Sequence, residues 1–129
     1  LAVLLFVRPA SLPRPYLWAV RLGVLLILAG SAEGALMISQ GAHAVGVADG
    51  GAGLPYVNWS TEGGDLRAAH AVGLHGLQAL PLFAFGLARL RPGLSQSGQM
   101  AAVWTFAAGY TALGVFLFQQ AMAGQPLVG

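Results

Sequence analysis

Glu33, His70 and His75 are ionisable side chains set inside long apolar stretches, and Arg67, Gln78 and His43 lie close to them in the chain. Burying an ionisable group in hydrocarbon costs several kcal/mol unless it is paired or faces water, so polar groups inside spanning helices mark candidate sites. The chain has no cysteine, which removes disulfides, thiolate catalysis, iron–sulfur clusters and Cys-based zinc sites together. Imidazole, carboxylate, amide and hydroxyl groups remain as ligands. The spacing of His70 and His75 is i, i+5, which separates two imidazoles by roughly 140° on a helix, whereas zinc sites on one helix use i, i+4. A single-helix chelate is therefore disfavoured. Haem is less restrictive, because its two axial ligands normally come from different helices. His70 or His75 could supply one of them, with His43 or another polypeptide supplying the second. The same imidazole can ligate a chlorophyll-type pigment, or relay protons with Glu33. Whether any metal is held is unknown at this level, and a haem-like group or a metal ion are the cofactors considered.

Other chemistries lack their residues. No Ser stands in a nucleophile-elbow motif. The glycines between Gly46 and Gly53 have neither the Lys nor the strand-to-helix setting of a phosphate loop. Hydrophobic residues make up 57% of the chain and charged residues 8%, with a mean hydropathy of +0.71, far from soluble globular composition. An integral membrane protein is expected. The basic residues are six arginines, confined largely to connections, so no basic surface for nucleic acid arises. The length of 129 residues suits a single membrane domain, with any site inside the bundle or at its rim.

Three complete spans can carry these residues, at about 16–40, 66–88 and 99–122, each long enough at 1.5 Å per residue to cross a bilayer. Tyr16 and Trp18 suit an interfacial belt, and Arg21 can snorkel from it. Asp65 is placed to cap the second span, which Pro81 should kink. The run 1–7 is too short to span and reads as the tail of a preceding helix. Arg8, Arg14 and Arg21 flank one connection and Arg89 and Arg91 another, whereas the Gly-rich loop 41–64 has Asp49 and Glu62 but no Arg. The positive-inside rule then puts the loop outside and the N-terminus inside. A bacterial inner (cytoplasmic) membrane, crossed several times, is the expected location, with lipid and further membrane subunits or N-terminal helices as neighbours.

In this frame Glu33 lies roughly 10 Å, His70 roughly 6 Å and His75 roughly 14 Å below the outer surface. Arg67, His70, His75 and Gln78 fall within an arc of roughly 140°, giving the second span one polar face. Glu33, Arg67 and His70 are expected to meet between the first two spans, where Glu33 and Arg67 could form an ion pair that only sets helix register. His70 could equally be a hydrogen-bonded packing residue, and His43 a solvated loop residue. The third span scatters Thr105, Tyr110, Thr111, Gln119 and Gln120 around its circumference. The patterns Gly30-xxx-Gly34 and Ala69-xxx-Gly73 allow close helix approach and are most simply packing.

The stretch Gly53-Leu-Pro-Tyr-Val-Asn-Trp-Ser-Thr-Glu-Gly-Gly-Asp-Leu-Arg-Ala-Ala-His70, followed by Gly73-Leu-His-Gly-Leu-Gln-Ala-Leu-Pro81, resembles a group of uncharacterised bacterial polytopic membrane proteins about twice as long. The resemblance runs from Tyr16 to Pro81 and includes Gly30-Ser-Ala-Glu-Gly34. It implies a C-terminal portion preceded by further helices, and a recurring pattern of Glu33, His43, Asp65, Arg67, His70, His75 and Gln78. It implies no activity. Two functions are therefore expected from the residues: a redox-complex subunit whose His/Glu site binds a haem-like group or metal in the outer half of the bilayer, or a non-enzymatic accessory subunit of a larger assembly.

Overall fold

The computed structural model describes residues 11–128. The run 1–7, read above as the tail of an earlier helix, lies outside the described residues. Three helices, each long and apolar enough to cross a membrane, form an all-α bundle: α1 (Arg14–Gln40), α2 (Leu66–Leu90) and α3 (Gln96–Met122). The chain is a multi-pass membrane protein.

Local chemistry accounts for each helix end. Pro15 in the first turn of α1 gives up an N–H that no intrahelical carbonyl would have met. Gly41 ends that helix in the left-handed conformation at φ 66°, where its N–H and that of Ala42 bond Ile38 and Met37 carbonyls at 3.1 and 3.3 Å. Asp65 caps α2 by accepting from the Arg67 N–H, and Ser95 caps α3 by accepting from Gly98 at 3.2 Å. The Ser95 cap is why α3 starts earlier than its apolar run. The α2 helix continues through Pro81.

Between α1 and α2 the chain forms two short strands, β1 (Ala44–Val45) and β2 (Gly64–Asp65), paired antiparallel with Ala44 opposite Asp65. This pair sits on the end of α3, where Gly64 lies so close to the Ala121 carbonyl that a side chain would not fit. A reversal at Pro55–Asn58 closes the rest of the loop. Leu54 N–H bonds the Trp59 carbonyl and Asn58 N–H bonds the Leu54 carbonyl, both at 2.8 Å, with Tyr56 and Asn58 at positive φ.

The α1–α2 seam is built from glycine. A Cβ on Gly73 would stand 2.6 Å from the Gly30 Cα, and one on Gly76 would stand 2.6 Å from the Leu26 Cβ. Backbones in this contact gain dispersion that lipid cannot supply. Toward the arginine-rich end, Ala19, Leu80, Ala84, Val103 and Ala107 make a common core of all three helices, with Phe83 stacked on Phe106 at 4.2 Å. Leu28, Leu82, Phe85 and Phe116 are more than half exposed around the outside, as lipid-facing residues should be.

Candidate functional site

Two polar regions emerge. The first lies at the loop end, around Asp65. Its carboxylate is 3% exposed, and it accepts from Arg67 Nε at 3.0 Å and Nη2 at 2.7 Å in a forked pair, from Arg67 N–H at 3.0 Å and from Ser60 N–H at 2.8 Å. Arg67 Nη2 also donates to the Asn58 carbonyl, which the positive-φ reversal presents to it. Burial pushes the Asp65 carboxyl up, but the Arg67 side chain and the Ser60 and Arg67 N–H groups together outweigh it and hold the group below the usual carboxylate range. Ser60 Oγ accepts from Glu62 and Gly63 N–H, tying down the following turn.

His43 belongs to this same cluster. Its N–H and that of Ala44 donate to Asp49 at 3.1 and 2.8 Å, and its carbonyl accepts from Leu66 N–H at 3.0 Å. The Ala44 N–H bond, ahead of that from His43, keeps Asp49 ionised to lower pH than an ordinary aspartate. The imidazole Nδ1 lies 3.5 Å from Asp49 and 3.7 Å from Asp65, without a hydrogen bond to either. A solvated loop residue is therefore the wrong description of His43. Its backbone supports the loop while its ring faces two carboxylates.

The second region lies inside the bundle. His70 Nδ1 is 2.7 Å from the Gly30 carbonyl. A carbonyl can only accept, so Nδ1 carries a proton, and in the neutral imidazole Nε2 is then the nitrogen with a free lone pair. The ring rests on Gly34, where a Cβ would meet its Cε1 at 3.0 Å. His70 borders an open groove of about 520 Å³ with His43 and Arg67, over an apolar floor of Met37, Ile38, Gly41 and Ala42. Glu33 is within electrostatic reach of His70, yet it lines a different space, a cavity of about 240 Å³ shared with Tyr110, Thr111 and Gln119 of α3.

Three expectations need correction. The Glu33–Arg67 ion pair does not form, because Asp65 two residues away offers Arg67 a forked partner without a helix to cross. Glu33 and His70 do share the seam, whereas Arg67 turns up into the loop. The polar face of α2 is not its packing face either. Leu66, Ala69, Gly73, Gly76, Leu80 and Ala84 are buried within an arc of roughly 80°, with Ala68 buried apart from them beside the end of α3, and from the centre of that arc His70 lies roughly 80° away and His75 and Gln78 roughly 140° and 160° away. His75 and Gln78 are accordingly exposed on the outside of the bundle, and the Gln78 amide can satisfy itself on the Leu74 and His75 carbonyls. Finally, α3 does contribute to a site: Tyr110, Thr111 and Gln119 converge on one cavity, an assignment that spacing alone could not make.

Among the described residues no group of three His or acidic side chains is placed to hold a metal ion. No protein-family model, curated protein or solved structure matches the chain.

Proposed function

We propose that this chain is a membrane subunit that holds a haem-like group or a single metal centre at His70, in the outer half of the bilayer, within a larger redox assembly. The supporting observation is the His70–Gly30 hydrogen bond. Metal-ligating histidines almost always donate their second ring N–H to a carbonyl or carboxylate, which sets the tautomer and orients the free nitrogen. A flat macrocycle suits this donor set better than a bare ion, since one axial imidazole over an apolar floor meets its needs. Arg67 and His43 at the groove rim can face its acidic substituents, and Glu33 across the seam adds negative charge near the imidazole.

The test is the visible absorption spectrum and metal content of protein purified from its native membrane. His70→Ala should abolish an absorbing species that His43→Ala and His75→Ala retain. Colourless, metal-free protein, or a spectrum unchanged by His70→Ala, would overturn the reading.

A second reading, a non-enzymatic accessory subunit, is favoured by His75 and Gln78 on the outer face of α2. An imidazole facing hydrocarbon is unfavourable, and a neighbouring helix that hydrogen-bonds it relieves this. In that case His75→Leu weakens assembly with the neighbour and leaves any spectrum untouched.

A further inference from the structure

The cavity between the three helices has an unusual balance of donors and acceptors. Tyr110 gives its hydroxyl hydrogen to the Val72 carbonyl at 2.9 Å, and Thr111 gives its own to the Ala107 carbonyl at 2.8 Å. Each hydroxyl then has only oxygen lone pairs left to offer. Glu33 Oε2 is shielded from solvent and has no hydrogen-bond partner. Glu33, Tyr110 and Thr111 line one space together with the Gln119 amide, and the rest of its wall is apolar or glycine, Leu26, Val72, Val115 and Phe118 among it. A carboxylate oxygen left unmatched in such surroundings is unfavourable by the desolvation of a charged acceptor. The complementary guest brings N–H donors, positive charge and an apolar body.

We propose that this cavity binds a small amphipathic amine, its ammonium directed at Glu33, Tyr110 and Thr111 and its alkyl part lying against Leu26, Val115 and Phe118. An ammonium has three donors and no acceptor, which matches three acceptor oxygens. A hydrated alkali cation has the charge but would set its water shell against the apolar wall. Glu33 lines this cavity and not the His70 groove, although it is within electrostatic reach of His70, and the titration below reads amine binding directly, apart from any spectrum due to His70.

Calorimetric titration of the full chain in lipid nanodiscs with n-hexylammonium chloride, corrected for empty nanodiscs, tests the proposal. Saturable binding is expected, with n-hexanol and sodium chloride giving none. Glu33→Gln should weaken it by at least about tenfold, the factor set by loss of one charge-assisted hydrogen bond. Gly114→Leu fills the cavity from α3 without touching Glu33 and should abolish binding, while circular dichroism and the thermal midpoint stay at wild-type values. No saturable binding to wild type, equal binding of hexanol, displacement by sodium ions, or unchanged affinity in folded Glu33→Gln would each overturn the proposal.

Discussion

Asp65 caps α2 at the loop end and Glu33 lies inside the bundle on α1, and the environments of these two acidic residues are opposite. Asp65 is almost fully enclosed, yet it accepts from the Arg67 guanidinium and two backbone N–H groups. Glu33 is only partly buried, yet one carboxylate oxygen is sealed off without a partner. A buried charge with all its partners has a structural explanation in full. One that lacks a partner has none within the bundle, which makes it a candidate to meet a group from outside. Burial by itself is therefore a poor guide to function here, and the accounting of donors and acceptors is a better one.

Removing Asp65 should produce the largest effect on stability. Asp65→Ala deletes the α2 cap and leaves Arg67 without its carboxylate, and an uncompensated charge of this kind costs about 3–5 kcal/mol. Chemical unfolding in detergent should register it. Glu33→Gln should change the same measurement by less than about 1 kcal/mol in either direction, since it removes a carboxylate with a buried oxygen that has no hydrogen bond to lose. Equal losses from both would erase the distinction between the two carboxylates.

A smaller loss is expected at the glycine seam. Gly73→Ala forces a methyl onto the Gly30 backbone and should cost about 1–3 kcal/mol, pulling His70 away from the Gly30 carbonyl. Gly86→Ala on the same helix meets nothing within 4 Å and should be neutral or stabilising by up to about 1 kcal/mol. The unfolding midpoints of the two variants separate seam contact from helix propensity.

The acid limb distinguishes the regions through pH. Asp65 and Asp49 both have folded-state pKa values held below the ordinary aspartate value. Their contribution is thus fully present above that ordinary value, about 3.9, and is lost as pH falls through the depressed folded values. Hydrogen exchange at the Ser60 and Leu66 amides should stay protected from pH 7 down to about 4 and open below it. Asp65→Asn should remove much of this acid dependence. Protection already lost by about pH 6 would show that another group governs the loop.

The smallest effect concerns the outer face of α2. His75→Leu should leave the stability of the isolated chain within about 0.5 kcal/mol, because the residue is exposed on the outer face of α2. A loss above about 2 kcal/mol would place His75 in a buried network instead.

Composition and hydropathy sufficed for the membrane class and the three spans, because a bilayer demands about 20 apolar residues per helix and tolerates few alternatives. Local signals also identified Asp65 as a cap and Gly30 and Gly73 as places where backbones can approach, since both depend on the residue's own backbone or size. Partner choice was decided elsewhere. Arg67 pairs with Asp65 rather than Glu33 because the Pro55–Asn58 reversal and the β1–β2 pair bring loop acceptors over the helix end. A helical wheel contains no such geometry. The direction of α2 was settled by its glycines: packing in lipid rewards close backbone contact more than burial of polar side chains. That turned His75 and Gln78 outward and left only His70 on the seam. The joining of Glu33 with Tyr110 and Thr111 required three helices at once, since side chains scattered around α3 converge only where α1 and α2 meet it.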